Sequence, residues 1–354
     1  MCGSLSDTPP PSWLPEEQGR YFCFNADSRV RYPGAIARLA GLLRRERIDI
    51  LQTHLFDAGV VGVLAARLAR RPLAVVTRHH MDDVLLGGTR FHVAIDRWMA
   101  KKAARVVVPS RAVRNHMTSR ERLNGERIEV IHYGFDFQAL SATDDDRRRV
   151  RAEFGLGSEF VIGCIARFFR NKGHAYLISA MEGIVEAVPQ ARLLLLGGGD
   201  KAEVERMVRE RKLEKHVIFA GHRKDVPACI RAMDVVVHPS LSEAFCQVII
   251  ETMGVGTALV ATDVGGASEA VTSRETGMLV PPAAPAAISE AVLELYQDPG
   301  LRGKIAAAGQ KNVRERFTVE RMVGKQIECY ERLLAPSLER NDYVSNAAHQ
   351  HRHS

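Results

Sequence analysis

The chain has 354 residues, 46% of them hydrophobic and only 6% aromatic, and a net charge of +7. That length can bury two cores, and no apolar run approaches the roughly 20 residues a membrane-crossing helix needs, so the composition points to a soluble two-domain enzyme. Cys2, Cys23, Cys164, Cys229, Cys246 and Cys329 form no Cys-x-x-Cys pair or zinc-ligand spacing, and no signal peptide precedes them, which reads as reduced thiols in the cytosol.

Short apolar strands alternate with helical segments, the pattern of a doubly wound parallel sheet. In the first part the predicted strands are Ile48–His54, Leu73–Thr77, Val106–Pro109 and Ile128–Ile131. In the second they are Phe160–Ile165, Leu193–Leu196, Val217–Phe219, Val235–Val237, Ala258–Ala261 and Met278–Val280. Between the parts, Thr143 and the aspartates Asp144–Asp146 predict a helix start, which sets a first domain over 1–142 and a second over 143–317. A helix over about 318–334 is expected to pack back on the first domain. The polar remainder, 335–354, reads as a disordered tail, with His349, His351 and His353 at most weak metal ligands.

Residues 1–140 hold 21 Lys plus Arg against 14 Asp plus Glu, so the whole positive excess lies in the first part. Arg38, Arg44, Arg45 and Arg47 stud one predicted helix, and Arg97, Lys101, Lys102 and Arg105 another, each beside an apolar stripe. Two readings stand: an ordinary solvated face, or a surface for anionic lipid headgroups or a phosphorylated acceptor at roughly 1 kcal/mol per basic residue. Nucleic acid is set aside, because no recognition motif accompanies the charge and aromatic residues are scarce.

The second part holds the candidate chemistry. Glu243 and Glu251 bracket a run that predicts a helix from Phe245, with Val248, Ile249, Ile250 and Met253 as its buried stripe. An ionised Glu251 in that setting costs several kcal/mol unless something polar meets it. Glu243 precedes the helix near its amide-rich, positive end, which suits an anionic ligand. Taken alone, the pair fits either a ligand site or helix capping with an internal arginine for Glu251. Cys246, at the same helix start, is either a reactive thiol or a small buried filler.

The block Glu243-Ala-Phe-(x5)-Glu251-(x2)-Gly254-x-Gly256-Thr-(x3)-Ala-Thr-Asp263-Val-Gly-Gly266, followed by Gly277-Met-Leu-Val-Pro-Pro282, closely resembles the nucleotide-sugar half of family 4 retaining glycosyltransferases. The resemblance covers roughly residues 33–333 and implies the GT-B fold, two Rossmann-like doubly wound α/β domains facing across a cleft. It implies a retaining, metal-independent hexosyl transfer from a nucleoside diphosphate sugar to a hydroxyl of a glycan or lipid-linked acceptor, with no cofactor. Cell-envelope polysaccharide or lipopolysaccharide assembly is the expected setting, in the cytoplasm or peripherally on the inner membrane face. A nucleotide-sugar epimerase of the same fold and a catalytically impaired binding subunit are the alternatives.

The same resemblance assigns residues. Arg167 and Lys172, in Arg167-Phe-Phe-Arg-Asn-Lys172-Gly173, would hold the donor diphosphate, where two fixed cations stabilise the charge gained by the leaving group. Gly197, in Leu196-Gly-Gly-Gly-Asp200, would pass close to the nucleotide, Arg223 would neighbour the base, and Glu251 would accept from the ribose hydroxyls. Glu243, with Ala244 and Phe245, would face the hexose, and His79 of Thr77-Arg-His would act at the sugar from the first domain, with His54 a second candidate. A surface capping cluster for the cations and an ordinary turn for the glycines are the plain alternatives. The chain departs from the family pattern at His132, where Asn is usual, and at Ala244 and Cys246, where the family has Gly. Only about 47 residues precede the strand at Ile48, so the usual first strand and glycine-rich turn are expected to be missing. Asp82-Asp83 and Asp144–Asp146 superficially suggest a metal-binding glycosyltransferase of another fold, but helix capping accounts for the second group.

Overall fold

In a computed structural model, residues 1–6, 20–81 and 89–350 are described, with side chains through Ala335. Asp82, Asp83, His351 and His353, and the side chain of His349, lie outside the described residues. Twelve strands appear among them: β1 (Cys2–Ser4), β2 (Tyr21–Cys23), β3 (Ile50–His54), β4 (Leu73–Thr77), β5 (Arg105–Val108), β6 (Ile128–Val130), β7 (Val161–Ile165), β8 (Arg192–Leu196), β9 (Val217–Gly221), β10 (Val235–His238), β11 (Ala258–Thr262) and β12 (Met278–Val280). All ten predicted strands form. The strands β1 and β2 were not predicted, because three residues are too few to display a period.

The chain divides into two compact units, one of residues 1–109, 114–131 and 324–354, the other of residues 110–113 and 132–323. The first unit contains the parallel sheet β3-β4-β5-β6 and the separate parallel pair β1-β2. Tyr330, on the closing helix Val319–Gln350, donates to Gln52 of β3, and Arg332 pairs with Glu129 of β6 at 2.9 Å. That helix runs through the segment expected to be disordered. The helix Tyr32–Arg45 ends before Arg47, and Arg105 opens β5, so neither belongs to the basic helix predicted to hold it. Arg38 and Arg44 donate to the Phe24 and Leu68 carbonyls, and with Arg45, Arg47, Lys101 and Lys102 they are exposed, whereas Arg97 and Arg105 are half-buried.

The second unit is a six-stranded parallel sheet in the order β12-β11-β10-β7-β8-β9. Successive side chains of a strand point to opposite faces, and both faces here are covered. Ile162, Cys164, Leu193, Leu195 and Val260 pack with Leu177, Ile178 and Ile288 on one side. Val161, Leu194, Leu196, Leu259 and Ala261 pack with Ile230, Ile249 and Ile250 on the other. Burial on both faces explains why these strands read as unbroken apolar runs. The chain leaves β7 toward β8 and β9, then returns to place β10 on the other side of β7, so a topological switch point lies between the carboxyl ends of β7 and β10.

Candidate active site

The turn after β7 and the loop after β10 meet at that switch point. Gly173 has φ +71°, and a Cβ there would lie 1.9 Å from the Pro239 carbonyl oxygen. Only glycine lets the two backbones touch, and the contact brings Lys172 beneath the loop that follows His238. Leu241 N donates to Asn171 O at 2.8 Å, pinning the same approach. Lys172 Nζ then donates to Glu243 Oε1 at 2.6 Å, joined by Ser240 Oγ at 2.8 Å and His238 Nε2 at 3.1 Å. On the far side, a Cβ on Gly265 would lie 1.7 Å from the Glu243 carbonyl oxygen, and one on Gly266 would lie 2.7 Å from the Phe245 ring. The glycine turn is therefore the backing plate of the Glu243–Phe245 backbone. Ala244 and Phe245 are buried, and the Ala244 carbonyl accepts from Ser110 Oγ at 2.7 Å.

Burial pushes the Glu243 carboxyl up, but His238 and then Lys172 outweigh it and hold the group at about 2. Burial likewise pushes His238 down, and the adjacent Cys246 and Glu243 outweigh it, so the ring reaches about 10. Cys246 Sγ lies 3.6 Å from His238 Nδ1. His238, Glu243 and Cys246 are residue types that bind metal, and their ligand atoms fall within 4.8 Å of one another. The ring faces Glu243 with Nε2 and Cys246 with Nδ1, so it is engaged on both sides.

Glu251 sits mid-way along the helix Gln247–Val255, half-buried. Among the described residues no cation or hydrogen-bond donor meets its carboxyl, and burial pushes it up. No arginine among the described residues accounts for it structurally. Gly197 follows β8, and a Cβ on it would lie 1.9 Å from the Ala166 carbonyl oxygen, so the glycine cluster is needed to close on the end of β7. Arg167 is exposed, its guanidinium 4.4 Å from the Phe169 ring centre and apart from the Lys172–Glu243 cluster's hydrogen bonds. Arg223 is engaged with Glu153 and with both oxygens of Asp225 at 2.9 Å. Those hydrogen bonds raise the guanidinium and hold Asp225 at about 2. The Arg223 N–H groups are thus already engaged by carboxylates.

In the first unit, His54 ends β3 and His79 follows β4, and the paired register of those strands brings the rings together. His54 Nδ1 and His79 Nε2 are 3.1 Å apart, with stacked planes 5.4 Å between centres. Burial, then the neighbouring His54 and His80, push His79 down to about 4, and burial also lowers His54. The flanking Arg78 is 3% exposed and pairs with Asp96 at 3.2 Å and Glu121 at 2.7 Å.

Residues 5–139 match the family profile for glycosyltransferase family 4, and residues 146–312 that for glycosyl transferases group 1. The chain belongs to glycosyltransferase family 4. The enzyme is 26% identical to the 2-deoxystreptamine glucosyltransferase of Streptomyces kanamyceticus, over 85% of this chain and 81% of that protein. It is 28% identical to the phosphatidyl-myo-inositol mannosyltransferase of Mycobacterium leprae, over 80% and 76%. Among solved structures it is similar to Anabaena HepE in complex with UDP and glucose, with a TM-score of 0.78 and 25% identity over 89% of this chain and 85% of that one. The fold of this glycosyltransferase is GT-B, two Rossmann-like domains. Among its described residues no helix is long and apolar enough to cross a membrane.

Sequence reasoning passed over several of the glycosyltransferase's polar groups. His238 ends a strand of three valines and is 2% exposed, and its position at a carboxyl strand end was the available signal. Ser240, two residues on, carried none. Glu269 accepts from Ala112 N at 3.0 Å and pairs with His132 at 2.9 Å, which gives the unexpected histidine a partner.

Proposed function

We propose that this glycosyltransferase transfers a hexose from a nucleoside diphosphate sugar to a hydroxyl of a glycan or lipid-linked acceptor, with retention and without a metal ion. The observation that carries this reading is the Lys172–Glu243 pair at the switch point, with Glu251, which has no partner among the described residues, on the helix that follows. Lys172 and Arg167 would take the diphosphate, and Glu251 the ribose hydroxyls. Gly197 would let the backbone approach the nucleotide, and Arg223 would lie against the base. Glu243, with the backbone of Ala244 and Phe245, would orient the hexose, and His79 is the proposed catalytic group of the first unit. HepE has been solved with UDP-glucose, which favours a uridine nucleotide as the donor.

The glycosidic bond would break with its electron pair passing to the leaving phosphate. That oxygen would take the proton of the acceptor hydroxyl as the new bond forms on the same face. The cation pair stabilises the developing diphosphate charge, the task a metal ion performs elsewhere. Arg45, Lys101 and Lys102 give the first unit the exposed charge to rest on an anionic membrane surface.

Ligand-observed NMR with uridine, guanosine and adenosine diphosphate sugars tests the reading. Lys172→Ala is expected to weaken donor binding and Glu243→Ala chiefly to slow turnover. Unchanged donor affinity in Lys172→Ala would mean the pocket lies elsewhere. Rapid epimer formation from donor without acceptor would replace transfer with epimerisation.

A further inference from the structure

Lys172 and Glu243 present a difficulty for any donor complex. Each is the other's closest charge, at 2.6 Å, yet a diphosphate on Lys172 draws the ammonium toward itself. Glu243 is 12% exposed, and a carboxylate that loses its counter-ion in such a place takes up a proton or swings toward solvent. One cation near it has no such divided role. His238 is 2% exposed, held in the last position of β10, and its Nε2 faces Glu243 Oε1 at 3.1 Å.

We propose that His238 is a positioning residue, a fixed imidazolium that keeps Glu243 ionised and aimed while Lys172 serves the donor diphosphate. The inference rests on the roles proposed above for Glu243 and Lys172. An imidazolium has two N–H donors, and both are provided for. Nε2–H points at Glu243, and Nδ1–H points at Cys246 Sγ, 3.6 Å away. Without that sulfur the second donor would be left bare in a buried site. Other titratable groups face the cluster from every packed element. Lys172 comes from the turn after β7, Cys164 from β7 and His174 from the helix His174–Ala187. His174 is buried and pushed down to about 4, Cys164 is pushed up to about 12, and neither competes for the charge near neutral pH. Thr262 Oγ1 donates to the Ser240 and His238 carbonyls at 2.6 and 3.3 Å, so the loop holding the ring is fixed from β11 as well.

Two measurements test this. In the side-chain nitrogen–proton spectrum of the 15N-labelled full chain, His238 should show two protonated ring nitrogens at pH 8, where an unperturbed histidine is neutral. The signal is assigned by its loss in His238→Gln. A single protonated nitrogen at pH 8 overturns the proposal, whatever the protein does with sugars. In the second measurement, His238→Gln keeps an N–H donor for Glu243 but not the charge. The acid limb of kcat/KM should then move up by at least about one pH unit, a tenfold relative loss at the acid end, with donor Kd at pH 8 little changed. Cys246→Gly should shift the same limb in the same direction by less. An unmoved limb in His238→Gln also overturns the proposal. Absence of any donor binding in the wild-type protein would instead count against the transfer reading and leave the nitrogen spectrum to decide on His238.

Discussion

Glu251→Gln separates a ligand-binding carboxylate from a structural one, because the two roles predict opposite signs for stability. The wild-type carboxyl is half-buried on the helix Gln247–Val255, with no partner among the described residues, and burial raises it. A half-buried carboxylate without a partner carries a desolvation cost for its charge that a neutral amide does not, on the order of 1 kcal/mol. The amide should therefore stabilise the ligand-free protein by about that amount, or about 2–4 °C in Tm for a domain of this size. The folded protein binds this proton more tightly than the unfolded chain does, so the gain is full well above the carboxyl's raised value and shrinks as pH falls toward the ordinary carboxylate range. With donor the sign reverses. Hydrogen bonds to a charged acceptor are worth about 1.5–3 kcal/mol against about 0.5–1.5 for neutral ones, so losing the charge should weaken donor binding roughly 5- to 13-fold. Thermal unfolding across pH 5–8, paired with titration calorimetry using the best donor from the screen, reads both effects. A lower Tm with unchanged donor affinity would refute the reasoning and make Glu251 part of the scaffold.

Gly173→Ala should destabilise the second unit by about 1–3 kcal/mol and release Lys172 from Glu243, since the methyl meets the Pro239 carbonyl at 1.9 Å on a backbone at φ +71°. A denaturant midpoint equal to wild type would show that the contact relaxes freely. Glu121→Ala leaves the buried Arg78 short of a counter-ion and should cost the first unit about 3–5 kcal/mol, read as an early transition in denaturant. His174 is kept neutral down to about 4 by burial, so its contribution is full above the unfolded value of 6.5 and declines as pH falls toward 4. His174→Phe should flatten the loss of Tm between pH 6.5 and 4, and an unchanged slope would mean that other groups control acid sensitivity there.

The sheet was legible because strands buried on both faces must be continuously apolar, as Leu193–Leu196 and Ala258–Ala261 are. Glu251 stood out as a charge in an apolar helical run and Lys172 only through the family resemblance, and the structure joins Lys172 to Glu243 directly. What could not be read was pairing. Nothing in the spacing says that Arg223 closes on Glu153 and Asp225, or that Arg38 donates to the Phe24 carbonyl, because such partners are set by tertiary approach. Arg47 and Arg105 were misplaced for a simpler reason: charge alone does not mark where a helix stops or a strand begins. The strands β1 and β2 escaped because their pairing depends on residues distant in sequence, not on any pattern within three positions.

The helix Val319–Gln350 leaves the second unit and joins the first, where Tyr330 reaches Gln52 and Arg332 reaches Glu129. Excision is therefore asymmetric. Apart from Ser110–Val113, the second unit is one uninterrupted stretch of gene, whereas the first needs codons from both sides of it. A fragment stopped at Val323 would retain the β3-β4-β5-β6 sheet but bare the flank that its own closing segment covers. Co-expression of residues 324–335 in trans, rather than a longer linker, is what such a fragment would require.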